Sequence, residues 1–184
     1  MELVFGLLEG KLVNLRAMEK EDVSFWHKWA NNVDSEYFLP SQRSKAEMEK
    51  ALSEPSPYEF KDFIIEKKDG TKIGLITHFH VLHPMGKTLE IGSALIPNER
   101  RKGYGTEAAQ IMVDYLFLSK EAPCIQATTH IKNTASQRVL EKVGFRREGI
   151  MRKRSFIRGE WTDIILYSIL REEWKEPKIL TKIA

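Results

Sequence analysis

Residues 89–106 read Leu-Glu-Ile-Gly-Ser-Ala-Leu-Ile-Pro-Asn-Glu-Arg-Arg-Lys-Gly-Tyr-Gly-Thr. An alternating, half-apolar strand runs into a polar turn carrying Arg100, Arg101, Lys102, Gly103, Tyr104 and Gly105, and an apolar-periodic helix is predicted from Thr106. A turn feeding a helix N-terminus exposes backbone N–H groups that have no intrahelical acceptor, and the helix dipole adds partial positive charge. Such a junction suits a phosphate or pyrophosphate. Gly103 and Gly105 leave no side chain where the phosphate must approach the backbone, and Arg101 and Lys102 place mobile positive charge beside it. Two other phosphate sites are excluded. No Gly-x-x-x-x-Gly-Lys-[Ser/Thr] occurs, and a dinucleotide fingerprint would need three glycines early in a βαβ unit.

Before the turn, residues 11–16 (KLVNLR) alternate as a first strand. Residues 21–32 set Val23, Trp26, Trp29, Ala30 and Val33 near helical spacing, with the two tryptophans expected in the core or in a cleft wall. Ser44 and Glu47 form a capping box for a helix ending near Leu52, and the prolines at 55 and 57 break it. Residues 60–66 and 72–81 flank Asp69-Gly70, a hairpin signal, and residues 88–96 give the next strand.

After the turn, residues 106–118 make a helix with Ala109, Met112, Val113, Leu116 and Phe117 on its apolar side. Residues 125–130 are a strand. Asn133 caps a helix to Val143, which Gly144 ends. Strands at 152–157 and 161–170 close the chain around the turn at 158–160. The order β-α-α-β-β-β-α-β-α-β-β is that of an α/β or α+β layer protein with one crossover, from the fourth strand to the fifth.

Bulk properties narrow the function. A chain of 184 residues fits one domain, burying roughly 70% of its unfolded surface. No apolar run is long enough to span a bilayer, and the first residues lack the basic start and small-residue cleavage site of a signal peptide. Cys124 is the only cysteine, which excludes an internal disulfide and a cysteine metal cluster and predicts a cytoplasmic setting. The net charge of +3 is spread over short basic runs, and only Tyr104 is interleaved with them, so a nucleic-acid partner is not expected.

The turn and the later helix together carry a resemblance. Arg100-Arg101-Lys102-Gly103-Tyr104-Gly105-Thr106-Glu107-Ala108 resembles the acetyl-CoA motif of the GNAT superfamily of N-acetyltransferases. Asn133-Thr134-Ala135-Ser136 and Leu140-Glu141-Lys142-Val143-Gly144-Phe145 resemble its second half. Leu15-Arg16, Glu21-Asp22, Glu90-Ile91-Gly92, Gly159-Glu160-Trp161-Thr162-Asp163 and Tyr167 are similar to the RimJ/RimL-like ribosomal-protein branch. The likeness spans about residues 11–174.

That resemblance implies an α/β (α+β) fold with a mixed, mostly antiparallel sheet of about seven strands. The sheet would splay between strands 4 and 5 and carry helices on both faces, as one N-acetyltransferase domain over residues 1–184. Acetyl-CoA is the implied cosubstrate, with no metal. Leu95 and Ile96 would bond the pantetheine arm through their backbones, and Asn133 would bond its amide. The N–H groups of Arg101, Lys102, Gly103, Tyr104, Gly105 and Thr106 would cradle the pyrophosphate, with the Thr106 hydroxyl as a further donor.

Attack on a thioester needs a neutral amine, hence a base. Glu90 is the first candidate, with His78 and His80 on the neighbouring strand as alternatives. The departing thiolate needs a donor. Leu140 stands where many members place a tyrosine, so the branch resemblance points to Ser136, with Tyr167 as another donor. The acceptor is expected to be a protein N-terminal amine, a ribosomal protein's among them. A polyamine, aminoglycoside or amino-acid acceptor is the enzyme alternative, and an acyl-CoA sensor without turnover is the alternative class. Carboxylates for a polyamine would come from Glu19, Glu21 and Asp22. Acceptor choice is expected in the first two helices and in the loops at 55–57, 83–86 and 158–161. A homodimer is compatible with the family, and a membrane partner is not expected.

Overall fold

The computed structural model describes residues 7–31, 43–54, 57–83 and 86–180. Its strands are β1 (Leu8–Glu9), β2 (Val13–Ala17), β3 (Lys61–Lys67), β4 (Lys72–His83), β5 (Gly86–Leu95), β6 (Cys124–His130), β7 (Arg146–Ile157) and β8 (Glu160–Leu170). Its helices are α1 (Val23–Ala30), α2 (Lys45–Ser53), α3 (Tyr104–Ser119) and α4 (Thr134–Val143). The strands form one sheet in the order β1-β2-β3-β4-β5-β6-β8-β7, with every pair antiparallel except β5–β6. Eight strands replace the expected seven. The addition is β1, whose two residues pair with Leu15 and Asn14 and carry too short a pattern to read as a strand.

Local chemistry accounts for most boundaries. The Ser44 hydroxyl accepts from the Glu47 N–H while the Glu47 carboxylate accepts from the Ser44 N–H, so α2 starts on the expected capping box. The Asn133 side chain accepts from the Ser136 N–H, and Gly144 ends α4 at φ 116°. Arg158 and Gly159 both take positive φ, 52° and 85°, the pair of conformations that a two-residue hairpin turn requires. Val33 and Pro55 lie outside the described residues, as do residues 84 and 85 of the 83–86 loop.

Several boundaries move, most by one or two residues, and two of the shifts have a specific cause. β7 starts at Arg146, not 152, because β8 continues to pair with it past a bulge at Met151/Ser155. Helix α3 starts at Tyr104, two residues early, with Gly103 at φ 87° as its N-cap. It is also buried from Ala108 to Phe117 on every side, where one apolar side was expected. The reason lies in the C-terminal segment, which crosses it. The fully buried Asp114 carboxylate accepts from Gln110, from the Trp174 indole and from the N–H groups of Lys178, Ile179 and Leu180. Such a polar group tolerates burial only because every lone pair is used.

Helices cover both faces of the sheet. His78 on β4 packs against Tyr115 of α3, whereas Thr77, Phe79 and Val81 point to the face that holds Trp26 and Trp29 of α1. On the α1 side, buried Asp22 accepts a bidentate pair from Arg16 and a bond from Lys72, tying the entrance of α1 to β2 and β4. Those cations hold the Asp22 carboxyl well below the usual range against the opposing cost of burial.

Candidate active site

The one parallel pair among the described strands is also a short one. β5 and β6 meet only at Leu89↔Ile125 and Glu90↔Gln126, and from there the strands part. Ile96 donates its N–H to Ile73 of β4, which makes the adjacent Leu95 a residue whose N–H and C=O point away from β4. On β5, Ser93 and Leu95 therefore present backbone groups to the gap. The Leu95 carbonyl is met by Arg100 Nε at 3.0 Å, and the Ile96 carbonyl accepts from Glu99.

A cavity of about 840 Å³ passes through this gap. From the α4 side it is lined by Asn133, Ser136 and Leu140, and from the α1 side by Trp26, Trp29 and Phe79. Gly92 and Ala94 keep the β5 wall small. An extended molecule can thus be held edge-on between two strands while its end is reached from the opposite face.

At one end of the gap the polar turn delivers donors. The first intrahelical bond of α3 runs from the Glu107 N–H to the Gly103 carbonyl, so the N–H groups of Tyr104, Gly105 and Thr106 have no acceptor within the helix. Arg101 at φ 64° and Gly103 at φ 87° curl the backbone that precedes them. The Arg101 side chain is exposed, and Lys102 bonds Glu99 at 3.0 Å on the surface. The Glu107 carboxylate accepts from the N–H groups of Leu12 and Val13 and pins this end of α3 to the β1–β2 turn.

Glu90 stands where the strands part. Its carboxylate accepts from Gln126 Nε2 at 2.7 Å and from Thr128 Oγ1 at 2.8 Å. It lies on the α1 face of the gap, whereas Ser136 lines the gap from α4 on the other face. The two therefore approach one cavity from opposite sides. Asn133 spends its side-chain oxygen on the α4 cap and keeps its amide NH₂ for a second partner.

The other candidates fall elsewhere. His78 and His80 share a face, as their spacing requires, but it is the α3 face, and neither lines the cavity. His78 is 4% exposed, neither ring nitrogen has a partner among the described residues, and burial pulls its pKa down to about 4. Tyr167 is buried with its hydroxyl on Glu141 at 3.2 Å. Burial first and then that carboxylate raise its pKa, and it too lies off the cavity. Asp22 is locked to Arg16 and Lys72, and Glu19 and Glu21 do not line the cavity either.

Gln126, Thr128, His130 and Arg154 line the cavity without having been singled out in the sequence. The signal for three of them was present. In Cys-Ile-Gln-Ala-Thr-Thr-His, positions 126, 128 and 130 are the polar set of an alternating strand. His130 accepts from the Lys132 N–H on Nδ1 and meets Thr162 at 2.7 Å through Nε2. Among the described residues, no group of three or more His, Cys, Asp or Glu side chains is placed to hold a metal ion, and no helix is long and apolar enough to cross a membrane.

Comparison with known proteins converges on one family. The acetyltransferase (GNAT) domain matches residues 13–146. The probable N-acetyltransferase YjcK of Bacillus subtilis is 31% identical over 180 residues, covering 91% of this chain and 98% of its own. Spermidine N(1)-acetyltransferase of Escherichia coli K12 is 26% identical over 167 residues, 88% of each chain. The solved structure of RimL, a ribosomal L7/L12 alpha-N-protein acetyltransferase in complex with coenzyme A, superposes with a TM-score of 0.74. At 18% identity it covers 91% of this chain and 99% of that one.

Proposed function

The chain belongs to the acetyltransferase (GNAT) domain family, and on that premise we propose that its acceptor is a protein N-terminal amine, as in the RimJ/RimL-like branch. The protein is an acetyl-CoA-dependent N-acetyltransferase. Residues 1–184 are read as one catalytic domain.

The observation that carries the acceptor reading is the charge of the cavity. A polyamine bears several cations and calls for several carboxylates, yet Glu90 is the sole acidic residue among the described residues that line it. Its walls on the acceptor side are Trp26, Trp29 and Phe79, suited to a single amine with an apolar neighbour. The 26% identical relative acts on spermidine by its name, but among the described residues Glu90 alone brings a carboxylate to this cavity.

In this reading the pantetheine arm lies in the β5–β6 gap, bonded by the backbones of Leu95 and Ser93 and by the Asn133 amide. Ile96, both of whose backbone groups are engaged within the protein, does not donate to the arm. The pyrophosphate sits on the N–H groups of Arg101 to Thr106, where α3 begins. The acceptor enters from the α1 face. Glu90, directly or through one water, takes a proton from the ammonium, and the freed nitrogen attacks the thioester carbon. The C–S bond breaks, the acetyl group leaves on nitrogen, which sheds its second proton to water, and the CoA thiolate takes a proton from water at the α4 face, where the Ser136 hydroxyl donates a hydrogen bond to the sulfur. Placing base and thiol donor on opposite faces of a splayed sheet keeps the two proton transfers apart.

The test is labelled acetyl-CoA with a panel of N-terminal peptides, spermidine and free amino acids. Label on peptide α-amines with free CoA released is the expected result. Label on spermidine alone overturns the acceptor assignment, and CoA binding without release across the panel overturns catalysis.

A further inference from the structure

Arg154 is the one arginine or lysine among the described residues that line the cavity, as Glu90 is the one carboxylate. It lines the mouth on the α1 side and forms no ion pair or hydrogen bond with any described residue. Its position is built. Between Met151↔Ile164 and Ser155↔Thr162, β7 spends more residues than β8, and the resulting bulge holds Lys153 at φ 49°. The Lys153 N–H donates to Asp163 Oδ1 at 2.8 Å, which pins the bulge. Bulges of this kind re-aim side chains beside active sites. Here Met151, Arg154 and Ser155 all reach the cavity, which a regular two-residue alternation would not permit for 154 and 155 together.

We infer that Arg154 is an anion subsite of the acceptor cleft, and that the acceptor is a peptide with an acidic residue shortly after its N-terminus. The inference rests on the peptide reading above and narrows it.

Distance along the sheet sets the position of that acidic residue. Glu90 is level with Gln126, and Gln126 with Ser168 of β8, whereas the bulge is level with Asp163. Ser168 and Asp163 are five residues apart, about 17 Å at about 3.4 Å per residue. Arg154 is also three strands across from Glu90, about 14 Å at about 4.8 Å per step, which sets the two points about 22 Å apart. The long Arg154 side chain shortens the gap, so a span of about 15–22 Å remains, or roughly four to six residues of extended peptide. A free amino acid carries its carboxylate too close to its amine to touch both ends, and spermidine carries no anion. Trp26 and Trp29, with ring centroids 4.8 Å apart, wall the path beside Phe79 and receive the first side chain. Asp163 is engaged by the bulge and lies outside the cavity, so it does not neutralise Arg154.

The experiment uses three hexapeptides that share their first three residues and differ in carrying Glu, Gln or Lys at positions four and five. Each is assayed for kcat and KM with the wild-type chain and with R154A, R154K and R154E, CoA binding serving as the folding control. The expected result is a KM lowest for the Glu peptide and raised about tenfold by R154A. R154K should restore part of it, and R154E should move the preference to the Lys peptide. Equal KM for the three peptides, or a Glu preference that survives R154A and R154E, overturns the subsite and leaves the peptide reading standing. Acetylation of spermidine with none of the peptides overturns the peptide reading itself and the subsite with it.

Discussion

Thr128 donates to the Glu90 carboxylate at 2.8 Å at the level where β5 and β6 cease to pair. Gln126 fills the other oxygen from 2.7 Å, so the carboxylate is held on two sides by the strand that diverges from it. A carboxylate fixed this way keeps one orientation toward the α1 face of the cavity. The E90Q variant is expected to lose roughly 10²–10⁴-fold in kcat while its Kd for CoA is unchanged. T128V, which removes one tether and no charge, should show a smaller fall in kcat at constant KM for acetyl-CoA. Steady-state kinetics with a binding titration checks both, and an E90Q enzyme with full turnover would move the base elsewhere.

Gly103 stands at φ 87°, and a Cβ there would meet only the Leu12 side chain at 3.5 Å. Space therefore exists, but the conformation costs an L-residue roughly 1–2 kcal/mol. G103V should relax the curl that aims the first N–H groups of α3 at the pyrophosphate. Calorimetric titration is expected to show CoA binding weakened about tenfold, with the fold retained by circular dichroism.

His78 is a buried base with no partner among the described residues, and its folded pKa of about 4 lies below the ordinary 6.5. A depressed pKa means that the unfolded chain binds the proton first as the pH falls. Stability is then fully present above pH 6.5 and is lost between 6.5 and about 4, by an amount on the order of 3 kcal/mol. H78F should remove that part of the acid sensitivity while leaving neutral-pH turnover intact, because the ring faces α3 and not the cavity. Urea denaturation at pH 7 and pH 5 on both proteins measures the difference.

Asp114 fastens the C-terminal segment over α3 through the Trp174 indole and three successive backbone N–H groups. D114A leaves those donors buried without an acceptor, at a cost of about 3–5 kcal/mol. The melting temperature is expected to fall by about 10 °C. Amide exchange should quicken first at residues 178–180, which separates loss of the latch from general loosening.

Much of the fold was legible because its determinants are local. The Ser44–Glu47 box, the Asn133 cap, the Gly144 stop and the 158–159 turn each act within a few residues, and each holds in the structure. The Arg100–Thr106 turn was legible for the same reason. A glycine at positive φ followed by free helical N–H groups is a property of the chain segment itself. Glu90 was visible as a polar position on an alternating strand, but the two residues that hold it lie 36 and 38 positions away.

The histidines show where sequence stops. Positions 78 and 80 must share a face by the period of a strand, but the period does not say which face meets the cavity. A shift of one residue in register would exchange them with Thr77 and Phe79. That choice is made by long-range packing, here of Phe63 and Tyr115 against His78. Arg154 was hidden for a related reason, since a bulge depends on how β8 pairs opposite it.

By itself, then, the sequence determined the order of elements, the glycine-bearing turn into a helix N-terminus and the family likeness, all of which rest on neighbours in the chain. Only the tertiary structure decided which face each strand residue serves, that Glu90 and Ser136 flank one gap from opposite sides, and that Arg154 reaches the same cavity. Those facts depend on strand register, on one bulge and on contacts between distant segments, whose free energies exist only once the sheet is assembled.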